Sequence, residues 1–381
     1  MFPPFGTASW ELYSATGSAY LRKKPFFGRA VSWLGDIVVV ELARLLPAPL
    51  VGTVLRDLGA TVIKIELLPK GDSLRGTALF ELLNRGKRSV AVPPDQLSRL
   101  LEGLLPKADV LVTNYRPETQ ASIGLSPEKV LQAYPHLLYV NLLGTPDGRP
   151  GHDLNFLAES GVLDRMRPSP ESPPLVPSFL LGDILGGTAS ALIRLLAALY
   201  RRTRTGQGAY LPIYLREEIF RWSVSLAHLH RLFGGQLPPP GSDFLSGALP
   251  CYRVYPTQDN RYLAVAALEE KFWQAFCEFV GRPDLQPYGK VMGDPYPHRE
   301  MESMIRQRTW TEWKALLEGT AFCVTPVYTF EEVLTQPWVQ EAWREGFLFF
   351  APPDGPTPVP ELGEAREWVE DRFGFLISGS H

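Results

Sequence analysis

Cysteine is scarce in this chain. Its 381 residues hold three, Cys251, Cys277 and Cys323, far apart and without a CxxC pair. Neither a disulfide framework nor a zinc or other metal site is therefore expected. A basic block of five or more residues is missing too, and the formal net charge is −3. The electrostatic footprint of a nucleic-acid binder is absent. No uninterrupted apolar run reaches the ~18 residues that span a bilayer. The segment Met1–Ser32 lacks a basic start followed by an apolar core, so no signal peptide is expected. The default expectation is a cytoplasmic protein with no membrane partner. Hydrophobic residues at 45% and charged residues at 21% are ordinary for a globular chain. The length suffices for a large core split between two domains. The 36 prolines point to rigid loops.

What is present is a clean alternation. Asp36–Leu42, Thr61–Leu67, Arg88–Val92, Asp109–Thr113 and Leu137–Leu143 read as buried strands, with helices at Pro49–Leu58 and Gln96–Leu105 between them. Gly59 ends the first helix as a C′ glycine does. Such alternation gives an α/β fold, a parallel sheet covered by helices on both faces. Ligands of such sheets bind beyond the carboxyl ends of the strands. A helix over Ile184–Thr203 leads through the Gly206–Gly208 turn to a strand at Ala209–Leu215, and Arg216–Phe233 reads as helical. After a Pro/Gly linker at Gly234–Gly247, a smaller α+β unit begins. Its strands Cys251–Tyr255 and Tyr262–Ala266 flank the turn Gln258–Arg261. Helices follow near Glu270–Val280, His298–Gln307 and Thr311–Glu318, then a strand at Cys323–Tyr328. Residues 1–32 read as a wrapping arm, and Pro352–Pro360 as a loop.

The stretch Gly151–Asp183 holds the chemistry. His152 and Asp183 both stand beside glycines, as two proton-handling groups facing one small cavity would. The apolar run Ala189–Tyr200 reads as a buried helix, which puts Asp183 at a helix N-terminus. There it serves either as an ordinary N-cap or as an acid/base group. Backbone N–H groups at that terminus would suit a developing enolate oxygen.

Three runs carry a resemblance. They are VVVELARLLPAPLVGTVLRDLGATVIKIE, LNRGKRSVAV and ADVLVTNYRPETQASIGL. On these the chain resembles the family III CoA-transferase superfamily. GHDLNFLAESGVL, LPCYRVYPTQDNRYLAVAALEEKFW and AFCVTPVYTFEEV are similar to its racemase branch, the alpha-methylacyl-CoA racemases. The resemblance implies His152 and Asp183 as the catalytic pair, with Glu269 supporting the histidine. It implies Lys87, Arg88, Asn114, Tyr115 and Arg116 at the nucleotide of coenzyme A. It also implies an acyl-CoA thioester as substrate, with coenzyme A entering as part of it and no separate cofactor.

Its architecture would be an interlocked homodimer. A Rossmann-like large domain takes 1–213 and is completed by 345–381. A helix and linker take 214–247, and the small domain 248–344. Three positions depart from the family pattern: Leu67 and Ser122 stand where arginine is common, and Pro212 where an aspartate is. The implied reaction is inversion of the alpha carbon of a 2-methylacyl-CoA thioester. The alternatives are transfer of CoA between carboxylic acids through an aspartyl-CoA intermediate, or acyl-CoA binding without catalysis.

Overall fold

The fold is that of a computed structural model, which describes residues 32–344 and 358–377. The expected arm up to residue 31, most of the loop expected at 352–360 and the tail at 378–381 lie outside the described residues.

Six parallel strands make one sheet, in the order β3-β2-β1-β4-β5-β6. They are β1 (Val38–Leu42), β2 (Thr61–Leu67), β3 (Arg88–Val92), β4 (Val110–Thr113), β5 (Leu138–Leu143) and β6 (Ala209–Tyr214). This is the parallel sheet expected from the alternation, in the Rossmann-like form that the resemblance implies. The apolar runs of β1, β2, β4 and β5 form strands with both faces buried. On one face Val39, Val62, Val110 and Val140 pack with α1 (Pro47–Asp57) and α3 (Ser190–Thr205). On the other, Val40, Ile63, Val90 and Leu111 meet Leu97, Leu100 and Leu104, together with Val369 and Phe373 from near the C-terminus. Each fully buried Val or Leu contributes about 1.5–3 kcal/mol. The chain therefore returns to this sheet at its C-terminal end.

A second sheet is antiparallel, in the order β7-β8-β9. Its strands are β7 (Tyr252–Pro256), β8 (Tyr262–Ala266) and β9 (Val324–Pro326). It has its own core of Leu263, Trp273, Phe276 and Trp313. Helix α5 (Glu270–Phe279) belongs to this unit.

Two charged residues lie inside the strand layer. Glu41 of β1 and Lys64 of β2 are direct cross-strand partners, and both are fully buried. Lys64 Nζ lies 3.3 Å from Glu41 and 2.9 Å from Asp72. The second Glu41 oxygen accepts from Lys87 Nζ at 2.7 Å, and that ammonium also donates to the Pro49 carbonyl at 2.8 Å. Burial lowers the Lys87 pKa to about 8, against the opposing pull of Glu41.

Three local expectations need correction. Arg216–Phe233 is two helices, α4 (Leu215–Trp222) and Val224–Leu232, interrupted at Ser223. The helix carrying Asp183 opens as a π-helix, Gly182–Ala189, before continuing as α3. The run Ala189–Tyr200 is not buried all round. Ala191, Leu195 and Leu199 enter the core, while Ile193, Leu196 and Tyr200 form a stripe 54%, 40% and 61% exposed. By length and composition Gly182–Thr205 would pass for a membrane span. Its inward face is instead part of the sheet's core.

Candidate active site

The sheet order reverses between β1 and β4, and the chain leaves β1 for one face of the sheet and β4 for the other. A crevice at such a switch point is where doubly wound sheets bind ligands. Here it is a cavity of about 700 Å³, within the range of cofactor-sized sites. The loop after β1 supplies Arg44, and the loop after β4 supplies Asn114, Tyr115 and Arg116. The Asn114 amide joins the two loops: its oxygen accepts the Arg44 N–H at 3.2 Å and its nitrogen donates to the Arg44 carbonyl at 2.7 Å. The Arg44 guanidinium lies over the Tyr115 ring, 5.3 Å from its centroid. No carboxylate pairs with Arg44 or Arg116 among the described residues.

His152 and Asp183 line the same cavity. His152 is exposed at the N-cap of α2 (Asp153–Glu159), a helix of 7 residues, too short for its periodicity to stand out in the sequence. Its N–H donates to the Asn155 side chain at 3.0 Å, which fixes the turn into that helix. Phe156 of α2 packs so closely on Gly144 that a Cβ there would meet its ring at 2.0 Å. A residue larger than glycine at 144 would push α2, and His152 with it, away from the sheet.

Asp183 is half-buried. Burial, reinforced by the neighbouring Asp153 and opposed by His152, pushes its pKa up to about 6. A carboxyl so placed can take or give a proton near neutral pH. The expected oxyanion role of the backbone at this turn is not available at Asp183 or Ile184. The Asp183 N–H donates to Asp153 Oδ1 at 2.8 Å and the Ile184 N–H to the Leu180 carbonyl at 3.0 Å.

The other expected site residues lie elsewhere. Lys87 is not at the cavity; it is sealed in the ion pair with Glu41, which a cation in a surface loop would not be. Arg88 projects from the sheet edge and stacks on Trp368, 3.9 Å from the ring centroid. Glu269 is exposed at the N-cap of α5 in the small unit and does not line the cavity of its own chain. Of the three departures, Pro212 sits in β6, an edge strand where a missing N–H is tolerated. Leu67 ends β2, and the Ser122 hydroxyl turns back to the Thr119 carbonyl at 2.8 Å. Sequence reasoning missed Arg44, Asp153 and Arg149. For Arg44 a signal existed: a cation just past the end of a buried strand. Arg149 lines the cavity but is tied to Asp147 and Glu159.

Residues 34–362 match the family described as CoA-transferase family III. The chain belongs to this family. It is 32% identical over 369 residues to the alpha-methylacyl-CoA racemase of Homo sapiens, covering 90% of this chain and 94% of that one. It is also 27% identical over 346 residues to the (R)-2-hydroxy-4-methylpentanoate CoA-transferase of Clostridioides difficile, covering 83% and 84%. A solved CAIB/BAIF family protein from Brucella suis superposes with a TM-score of 0.73 over 88% of this chain and 98% of that one, at 24% identity, which speaks for the shared fold. This family III CoA-transferase superfamily member is thus an enzyme of acyl-CoA metabolism whose relatives carry both names, racemase and CoA-transferase.

Proposed function

We propose that this family III enzyme racemises the alpha carbon of a 2-methylacyl-CoA thioester. The observation that carries the reading is that His152 and Asp183, one of them a carboxyl held near pKa 6, line one cavity. One group takes the alpha proton, the C–H electrons pass into the thioester carbonyl as an enolate, and the other group returns a proton to the opposite face. The roles reverse for the opposite enantiomer. Incubating one pure enantiomer of a 2-methylacyl-CoA and separating the products by chiral chromatography tests this. Appearance of the other enantiomer supports the reading, and an unchanged enantiomer rules it out for that substrate.

In this reading the nucleotide end of the substrate lies on the Arg44, Tyr115 and Arg116 side of the cavity. Two unpaired guanidiniums suit phosphates, and the tyrosine ring suits a flat base. Arg44→Ala is expected to weaken binding of free CoA about 10- to 100-fold, the value of one or two charge-assisted hydrogen bonds. Calorimetry with CoA measures it; unchanged affinity would place the phosphates elsewhere.

Glu269 would reach a neighbouring site from a second copy of the chain, in an interlocked homodimer. Its exposure, its absence from its own cavity's lining and the apolar stripe of Ile193, Leu196 and Tyr200 support that arrangement. Light scattering is expected to give twice the chain mass; the mass of a single chain would remove Glu269 from the mechanism.

A second reading draws on the CoA-transferase relative. There Asp183 would be the nucleophile, forming an acyl anhydride and then an aspartyl-CoA thioester. His152 has no necessary part in it. Borohydride trapping of CoA-loaded enzyme, followed by peptide mass analysis at Asp183, separates the two.

A further inference from the structure

One carboxylate next to His152 in the chain has no place in the proton transfer above. Asp153 is the first residue of α2, directly after His152, and is 6% exposed. Its Oδ1 accepts the backbone N–H of Asp183 at 2.8 Å. No hydrogen bond within α2 or within the π-helix makes this connection. It joins the turn that carries one proton carrier to the turn that carries the other. The neighbouring residue confirms how tight the junction is: a Cβ on Gly182 would lie 2.9 Å from the same Asp153 oxygen and 3.0 Å from Ile219 Cδ1.

We propose that Asp153 is a positioning residue, a clip that fixes the separation of His152 and Asp183 by holding the π-helix against the N-terminus of α2. The inference rests on the two-base reading for its kinetic consequence, though not for its structural one. A charge-bearing clip also has an electrostatic effect. Asp153 puts a negative charge beside Asp183, and like charges disfavour ionisation of the second group. Most other charged groups on elements packed against the π-helix have partners of their own, and Arg201 and Arg204 sit toward the far, C-terminal end of α3. Arg56 and Asp57 of α1 pair with each other. Glu218 of α4 is held by Arg194 and Arg221, and Glu217 by Arg216. Glu159 of α2 is held by Arg149 and Arg216. Arg202 of α3 is paired with Asp109. Within the cavity, His152 is the group that opposes Asp153.

Two substitutions separate the mechanical effect from the electrostatic one. Asp153→Asn keeps an oxygen for the Asp183 N–H and removes the charge. The Asp183 carboxyl, followed by carbon-13 NMR of aspartate-labelled enzyme, is then expected to titrate closer to an ordinary carboxylate. The acid limb of the kcat–pH profile would move down with it, and kcat at neutral pH would change only a few-fold. Asp153→Ala removes the grip as well. Its kcat is expected to fall about 100-fold with little change in KM, because misplacing a proton carrier by about 1 Å has that effect. An unmoved Asp183 titration in Asp153→Asn, or a wild-type kcat in Asp153→Ala, would overturn the proposal. Should the wild-type enzyme fail to racemise any 2-methylacyl-CoA, the two-base reading falls. The NMR titration still decides whether Asp153 governs Asp183.

Discussion

His152→Ala is expected to lower the rate of alpha-proton exchange by about 10²–10⁴-fold, the usual contribution of a general acid or base. Asp183→Asn should do the same, and the double variant should be little worse than either single one. Two groups that hand a proton across one carbon act as a unit, so their losses do not add. Stability should move the other way for Asp183. Its pKa is raised from 3.8 to about 6, so between those values the folded chain holds a proton that the unfolded chain has released. The stability this group confers is full below pH 3.8 and is lost as pH rises through 6. At pH 7 the folded enzyme therefore carries an unfavourable buried charge. Asp183→Asn should melt no lower than wild type at pH 7, and thermal unfolding across pH 4–7 checks it. A variant that is both inactive and strongly destabilised at pH 7 would mean that Asp183 is structural.

The largest expected stability loss comes from Glu41→Ala. Glu41 lies at 0% exposure and holds two buried ammonium groups, those of Lys64 and Lys87. Lys64 keeps Asp72 as a partner, but Lys87 keeps only the neutral oxygens of Pro49 and Asn84. Removing one partner of a buried pair costs about 3–5 kcal/mol because the other charge stays behind. The deficit should depend on pH. Burial already depresses Lys87 from 10.5 to about 8 with Glu41 in place, and loss of Glu41 depresses it further. A lysine with a depressed folded pKa destabilises most at low pH and recovers as pH rises toward its unfolded value. The gap between Glu41→Ala and wild type should therefore narrow as pH rises toward about 8, through the range where Lys87 is already neutral in the folded variant but still charged in the folded wild type. Glu41→Gln, which keeps an acceptor, should lose less than Glu41→Ala. Equal melting of all three proteins would show that the pair contributes nothing.

The same pair shows where sequence reasoning stops. TVIKIEL reads as a strand because its β-branched residues dominate, and it is one. Nothing local says that Lys64 will lie opposite Glu41; that follows only once the parallel register is known. Lys87 in the run LNRGKRSVAV looks like a phosphate ligand for the same reason, since its partner lies 46 positions away. Arg88 finds Trp368 across 280 positions of chain, a contact no spacing rule anticipates. Asn114, Tyr115 and Arg116 were named through the family resemblance, and they line the cavity because residues just beyond a switch-point strand face the ligand side whatever packs behind them. Arg44 obeys the same rule at the end of β1 and deserved the same reading. The pairing of His152 with Asp183 was legible as chemistry, while the clip between them through Asp153 was not, because one hydrogen bond between two short turns leaves no periodic trace.

The most direct test is to incubate the enzyme with one enantiomer of a 2-methylacyl-CoA in heavy water and follow the alpha carbon by proton NMR. The account predicts loss of the alpha-proton signal as solvent deuterium enters, with label in the inverted product, and none of this in His152→Ala. Retention of the alpha proton throughout, with CoA instead passing to an added carboxylic acid, would contradict it.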